Sequence, residues 1–342
     1  MFRLLALLQL TRAALAFTAV ADAWTVLLLR RPAEGGDSMA YTIFKMVLIA
    51  IISLGLYGFG MALNDLLDAR RDRVFAPRRP IPSGRIAARS AVQITLLLLV
   101  LSLITALVLS ILQIHDALAK PHRVEFVELV PWPFIFAVIT VGLIVLYDGT
   151  TKYLGGIGIL TLGVIRAVHC LIPDPRVPLL YLSMFLLCHV FFVSLVAYRL
   201  ENKRPRLGRL DVRIGVVSVF LLCALALGYT WKNGVFPGNT HRMLFGPAGA
   251  AIVFVVWAWL LGKNQKLSQR QKGERLMLMG LFWLFVYDAS MLFSNGQILA
   301  GISVVLLFFC ALFTFFGIRK LSRSMAQERI GFKTERMAQA NA

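Results

Sequence analysis

Three polar residues at the end of an apolar segment have a spacing that suits metal binding. Asn64, Asp68 and Asp72 stand at i, i+4 and i+8, so a helix turning about 100° per residue keeps them on one face. Asp65 is expected to point elsewhere. Like charges one turn apart destabilise a helix, so this face requires a positive partner. Oxygen ligands suit Mg²⁺, which substrate phosphates usually complete, and we predict a Mg²⁺ cofactor here.

A basic, proline-rich stretch follows this face. Residues 70–84 contain five arginines, and three prolines are predicted to end the helix in a fixed, extended loop. Guanidinium groups bind phosphate oxygens in a bidentate manner, so the stretch is typical of a metal-bridged diphosphate site. A basic loop after a membrane span is also an ordinary topology signal, but that alternative leaves the acidic face unexplained. The predicted substrate contacts here are Asp65, Arg78 and Arg79.

Long apolar segments must position these residues. Of 342 residues, 58% are hydrophobic and 15% are charged, with a mean hydropathy of +0.76, whereas soluble domains carry about 25% charge. A helix of roughly 20 apolar residues crosses a bilayer with its backbone hydrogen bonds satisfied. We predict an all-α transmembrane bundle of nine or ten spans, forming one membrane-embedded domain over 1–342. The apolar runs are 4–29, 41–63, 91–114, 131–147, 154–172, 178–198, 212–230, 244–262, 276–293 and 297–318.

The basic residues predict the orientation of the bundle. With ten spans, 26 of the 36 Lys and Arg residues fall on one side, seven on the other and three within spans. Because cytoplasmic loops carry the excess of these residues, the motif loops and a basic tail of about 319–342 are predicted to be cytoplasmic. The membrane is the inner one if the protein is bacterial. Merging the last two runs gives nine spans but moves the tail to the opposite side.

Composition disfavours several other function classes. The net charge of +19 could suggest nucleic acid, but Lys and Arg do not interleave with aromatic residues on one soluble segment, so no nucleic-acid partner is predicted. The four cysteines lie in four different apolar runs, which disfavours a zinc site or a disulfide framework. The first run, interrupted by Arg12, is interpreted as a retained span rather than as a cleaved signal peptide.

The motif residues carry a family resemblance. The pattern NDxxDxxxD from Asn64 to Asp72, followed by RPIPSG from Arg79 to Gly84, resembles the first aspartate-rich motif of the UbiA superfamily of intramembrane prenyltransferases. In that family a helical bundle binds a prenyl diphosphate through Mg²⁺ and transfers the prenyl group to an acceptor that is usually aromatic. The resemblance implies that the metal ligands are Asn64, Asp68 and Asp72.

Two weaker signals extend the predicted site. Tyr147 and Lys152 in LYDGTTK resemble a tyrosine and a lysine of the family, one residue further apart than is common there. The resemblance makes Tyr147 a substrate contact and Lys152 a catalytic residue. Arg166 lies within an apolar run, where insertion costs about 2.5 to 3.5 kcal/mol. We therefore predict that Arg166 faces the substrate cavity and contacts substrate, with pairing to a buried acid as the structural alternative.

The second aspartate-rich motif of the family is degraded in this chain. The loop after the sixth run reads AYRLENKRPRLGRLD, in which Glu201 and Asp211 are the acids present. Lys and Arg side chains also stabilise charge on a leaving group, so neutralisation is expected to have shifted from a second metal to cations. The alternative is that the basic residues of this loop only mark its cytoplasmic side. The predicted substrate contacts of this loop are Arg199, Glu201 and Lys203.

These signals together predict Mg²⁺-dependent transfer of a prenyl group from a prenyl diphosphate to an aromatic or lipophilic acceptor within the bilayer. One alternative is an intramembrane terpene cyclase, which needs no acceptor. Another is a non-catalytic isoprenoid or lipid carrier or transporter, in which intramembrane charges such as Asp22 and Asp288 line a pathway. The predicted catalytic residues are Asp68, Asp72 and Lys152.

Overall fold

The computed structural model describes residues 2–29, 38–119, 125–175, 180–203, 205–232 and 240–340. Within these ranges the chain forms twelve α-helices and two short 3₁₀ segments, and no strand. This confirms the predicted all-α class. The helices are α1 (Phe2–Leu10), α2 (Ala13–Leu29), α3 (Met39–Leu67), α4 (Ala69–Phe75), α5 (Ala88–Leu118), α6 (Trp132–Gly149), α7 (Gly156–Cys170), α8 (Leu180–Leu200), α9 (Arg209–Lys232), α10 (Thr240–Lys263), α11 (Gln269–Ser294) and α12 (Ile298–Ala340).

Each predicted apolar run corresponds to helical structure. In the described part of the chain, eight helices are long and apolar enough to cross a bilayer, and α2 and α7 are apolar but shorter. The chain is an integral, multi-pass membrane protein. Between α11 and α12, Gly296 adopts a left-handed backbone with φ of 75°. The last two runs are therefore separate helices, which favours ten runs over nine.

Small residues bring neighbouring helices close together. A Cβ atom on Gly55 of α3 would collide with Ser102 of α5, and one on Gly280 of α11 would lie 2.6 Å from Val193 of α8. Because lipid tails are as apolar as leucine, helices in a bilayer associate through such close packing rather than through the hydrophobic effect. These glycines therefore set the distance between paired helices.

A buried ion pair connects three helices inside the bundle. Arg166 of α7 pairs with Asp22 of α2, and Asp288 of α11 lies beside Asp22 and Thr25. Asp22 and Asp288 are fully buried, and Arg166 is 9% exposed. The structure thus favours the structural alternative for Arg166. It pairs with Asp22 of α2, and substrate contact by Arg166 stays a prediction.

The loops that carry the motifs meet at one end of the bundle. The contact of Lys152 with Asp68 and that of Gly155 with Asp211 bring the α3–α5, α6–α7 and α8–α9 connections together. Gly155, which precedes α7 with φ of 55°, lies against the Asp211 carboxylate of α9. That carboxylate also accepts a hydrogen bond from Gly208 N at 2.8 Å. Asp211 therefore caps the start of α9 and packs on the α6–α7 connection.

Some residues counted for the orientation lie outside the described ranges, namely Arg30, Arg31, Lys120, Arg123, Arg176 and Arg204. α12 continues to Ala340, so most of the predicted basic tail extends the last helix. The assignment of 1–342 to one domain stays a prediction.

Replacing Arg166 with methionine is expected to destabilise the protein. The change leaves Asp22 and Asp288 buried without their cation, and removing one partner of a buried pair costs about 3–5 kcal/mol. Thermal unfolding in detergent should therefore have a clearly lower midpoint. The control Arg270→Ala removes an exposed pair with Glu274 and should change the midpoint little, since exposed pairs contribute under about 1 kcal/mol. Equal midpoints for R166M and the unchanged protein would contradict this role.

Candidate functional site

The acidic motif lies where α3 meets α4. Asp68 connects the two helices with φ of −84° and ψ of 0°. The hydrogen bonds continue across the junction, from the Asp68 amide to the Asn64 carbonyl (2.9 Å) and from the Asp72 amide to the Asp68 carbonyl (2.8 Å). Helical register is therefore kept, and Asn64, Asp68 and Asp72 follow one another along one face, as the spacing predicts.

Arg79 binds two of the carboxylates. Its Nη1 donates to Asp72 Oδ2 at 2.6 Å and to Asp65 Oδ1 at 3.2 Å. The side chains of both acids are nearly buried, with exposures of 7% and 5%. The prediction that Asp65 points elsewhere was wrong, because residues seven positions apart complete about two helical turns and also share a face. Two acids at the membrane boundary thus share one guanidinium.

The loop that carries Arg79 is compact. Sequence alone predicted a fixed, extended loop, but Ser83 N donates to the Arg79 carbonyl at 3.0 Å and Ile86 N donates to the Pro80 carbonyl at 3.1 Å. Gly84, with φ of 72°, permits the left-handed turn that closes this loop. The turns fold the loop back on itself and bring Arg79 to the acids of α3 and α4.

Lys152 neutralises the next carboxylate. Its Nζ lies 3.0 Å from Asp68 Oδ1, and the Tyr153 hydroxyl donates to the same oxygen at 3.4 Å. A 3₁₀ segment, Thr151–Tyr153, positions the Lys152 side chain, which is 8% exposed. The lysine therefore reaches the acidic motif despite the extra residue in its loop.

Asp148 belongs to the site although the sequence interpretation missed it. It is 3% exposed, and its Oδ1 accepts a hydrogen bond from Asn64 Nδ2 at 2.7 Å. Its neighbour Tyr147, a predicted substrate contact, is half-buried and lies within electrostatic range of Asp68. The signal was available in LYDGTTK, where this acid stands between the tyrosine and the lysine of the resemblance.

The donor atoms at this end of the bundle fit a hard divalent cation. The site offers one carboxamide and four carboxylates, and oxygen ligands of this kind are those that Mg²⁺ prefers. They belong to Asn64, Asp65, Asp68, Asp72 and Asp148. Among the described residues no three acids form a preformed metal cage. Arg79 and Lys152 each contact one oxygen of the carboxylates they pair with, which leaves the second oxygen of Asp65, Asp68 and Asp72 for a metal ion.

A cavity of about 470 Å³ opens beside the acidic motif. Four arginines and one aspartate are among the residues that line it, so its walls favour an anionic ligand. These residues are Arg12, Asp65, Arg78, Arg79 and Arg85. The predicted contacts Arg78 and Arg79 therefore face the same space.

The charged residues of the degraded loop after α8 have partners outside the acidic motif. Lys203 pairs with Glu201 at 3.0 Å, and the Glu201 side chain packs beside Gly273 of α11. Arg199 is exposed at the end of α8. In the part of the chain that the structure describes, this loop makes no ion pair with the acidic motif. Direct substrate contact by Arg199, Glu201 and Lys203 stays a prediction.

Comparison with known proteins finds archaeal relatives. A digeranylgeranylglyceryl phosphate synthase of Sulfolobus acidocaldarius is 25% identical over 241 residues, which are 68% of this chain and 78% of that protein. The synthase of Sulfurisphaera tokodaii is 22% identical over 257 residues, which are 71% of this chain and 84% of that protein. No family model matches the chain.

A solved structure supports the fold. A digeranylgeranylglyceryl phosphate synthase in membranes superposes with a TM-score of 0.56, covering 87% of this chain and 99% of that one at 17% identity. Similarity at this level of identity supports the helical architecture. The chemistry must be argued from the side chains of this chain.

Replacing Arg79 with glutamine is expected to lower stability in the absence of metal. The change leaves Asp65 and Asp72 close together without their cation, and a hydrogen bond to a charged group contributes about 1.5–3 kcal/mol. The unfolding midpoint measured in a chelator should fall, and added Mg²⁺ should raise it more than in the unchanged protein, because ligand binding stabilises the folded state. The exposed Arg73→Gln is the matched control, and equal Mg²⁺ responses in the two variants would contradict the prediction.

Proposed function

We propose that the chain is an intramembrane prenyltransferase of the UbiA superfamily and that it transfers a prenyl group from a prenyl diphosphate to a lipophilic acceptor, with Mg²⁺ as its cofactor. The observation that carries this proposal is the pairing of nearly buried carboxylates with Arg79 and Lys152 at the membrane boundary. One site thus holds both metal-binding oxygens and the cations that bind phosphate.

The acids and the cations have separate tasks in this proposal. Asn64, Asp68 and Asp72, with Asp148 as a further donor, would hold Mg²⁺, which would supply Lewis-acid polarisation of the diphosphate oxygens. Arg79 and Lys152, which lie beside these carboxylates, bind the diphosphate oxygens directly. Fixed cations of this kind stabilise charge that develops on a leaving group.

The reaction is a substitution at the allylic carbon. The bond between this carbon and the bridging oxygen breaks, and its electron pair leaves with the diphosphate. The acceptor supplies the electron pair for the new bond to the prenyl carbon and loses a proton. Contacts between the isoprenoid tail and the apolar helices hold the reacting carbon in place, which lowers the entropic part of the barrier.

The names of the relatives suggest the acceptor class. The proteins from Sulfolobus acidocaldarius and Sulfurisphaera tokodaii are named for the synthesis of digeranylgeranylglyceryl phosphate. An acceptor that already carries one prenyl group on a glyceryl phosphate would give such a product. We therefore place a prenylated glyceryl phosphate lipid ahead of an aromatic acceptor.

The motif end is proposed to face the cytoplasm, on the 26-to-7 distribution of basic residues.

The carrier alternative is less well supported. A pathway needs charges that a passing ligand can reach, but Asp22 and Arg166 pair with each other inside the bundle. Lys45, another charge within an apolar run, has its Nζ 3.5 Å from Asp116 Oδ2. A cyclase would share the diphosphate site, so product analysis without any acceptor distinguishes it from a transferase.

Replacing Asp68 with alanine is expected to abolish most turnover. The change removes a predicted metal ligand and the partner of Lys152, and loss of one preorganised electrostatic contact lowers kcat by about 10²–10³-fold. The assay uses purified protein, radiolabelled prenyl diphosphate, Mg²⁺ and a panel of prenylated glyceryl phosphate and aromatic acceptors. Glu274→Gln, an exposed acid at the start of α11, is the control and should keep full activity. Unchanged turnover or diphosphate binding in D68A would remove this site from the mechanism.

A further inference from the structure

A two-residue turn, Thr11 and Arg12, separates α1 from α2. Arg12 has φ of 46°, a left-handed conformation that L-residues other than glycine, asparagine and aspartate rarely adopt. Its amide donates to the Gln9 carbonyl at 3.3 Å, and its carbonyl accepts from the Leu15 amide at 2.9 Å. Non-glycine residues held in such strained conformations cluster at functional sites.

The side chain of Gln9 fixes this turn to its surroundings. Its amide oxygen accepts a hydrogen bond from Arg85 Nη1 at 2.5 Å, and its amide nitrogen donates to Ser322 Oγ of α12 at 3.3 Å. Arg85 also donates to the Arg78 carbonyl at 2.5 Å. The turn is therefore attached both to the last helix and to the loop that carries Arg79.

This attachment places the Arg12 side chain at the acidic site. Arg12 lines the cavity together with Asp65, Arg78 and Arg79. Its charge acts on Asp65 of α3 and on Asp148 of α6. Within the described residues its guanidinium makes no hydrogen bond and no ion pair, in contrast to Arg79 and Lys152. Arg12 is thus a cation available to a ligand of the cavity.

We propose that Arg12 is a substrate-binding residue whose guanidinium binds the phosphate oxygens of the prenyl diphosphate, and that the strained α1–α2 turn positions it for this contact. The inference rests on the proposed function, which supplies the diphosphate. A bidentate guanidinium matches two phosphate oxygens. Among the described residues that line the cavity, Arg12, like Arg78, can meet the entering diphosphate without breaking an existing pair.

The test uses two substitutions that separate charge from backbone strain. Arg12→Asn keeps a residue that tolerates the left-handed conformation but removes the charge, whereas Arg12→Lys keeps the charge and loses the bidentate geometry. In Arg12→Asn we expect KM for the prenyl diphosphate to rise by about ten-fold or more, since a hydrogen bond to a charged group is lost. Arg12→Lys should show a smaller rise, and KM for the acceptor should stay unchanged in both.

A positioning variant and a binding assay complete the experiment. Gln9→Ala should raise KM for the diphosphate in the same direction as Arg12→Asn, by a smaller factor. Binding of inorganic pyrophosphate with Mg²⁺, measured as a rise in unfolding midpoint, should weaken in Arg12→Asn and stay unchanged in the exposed control Arg270→Gln.

The outcomes distinguish this inference from the function on which it rests. If the unchanged protein turns over prenyl diphosphate and Arg12→Asn matches it in KM and in pyrophosphate binding, Arg12 has no such role and the function stands. If only KM for the acceptor rises, Arg12 binds the phosphate of the acceptor lipid and the inference is overturned. If the unchanged protein neither binds pyrophosphate nor turns over, both proposals are overturned.

Discussion

Carboxylates at the boundary of a bilayer need positive partners, because poor solvation there raises the free energy of an unpaired charge. Much of the local structure around the acidic motif follows from this constraint. The loop after α4 folds into turns and brings Arg79 to two acids, while a 3₁₀ segment between α6 and α7 brings Lys152 to Asp68. Breaking either pairing would leave an acid that is mostly removed from water.

The same pairing places metal-binding and phosphate-binding groups side by side. Arg79 and Lys152 each contact one oxygen of the carboxylates they pair with, so a metal ion can bind the second oxygens while a diphosphate binds the cations. A metal arriving alone would place its charge beside these cations, and a diphosphate arriving alone would place its charge beside these carboxylates. The geometry therefore favours joint binding of the two, which matches the way Mg²⁺ is usually completed by substrate phosphates.

Local patterns were readable from sequence, whereas contacts between distant segments were not. The apolar runs predicted the helices, and the spacing of Asn64, Asp68 and Asp72 predicted their common face, because both depend only on helical periodicity. The side-chain hydrogen bond between Asn64 and Asp148 joins residues 84 positions apart, so no local pattern encodes it. The acid that pairs with Arg166 could not be predicted for the same reason, because Asp22 lies on a distant helix, α2.

The acids of the degraded loop after α8 have structural roles, so the cavity depends on arginines for binding an anionic ligand. Asp211 caps α9 and Glu201 pairs with Lys203, so both acids already have structural partners. A second metal would compete with those partners, whereas the cavity already has arginines on its walls. One of them, Arg12, comes from the α1–α2 turn, and it is held there by contacts from Gln9 to the basic loop and to α12. The cavity thus draws positive charge from the N-terminal segment, whereas both acids of the degraded loop have structural partners elsewhere.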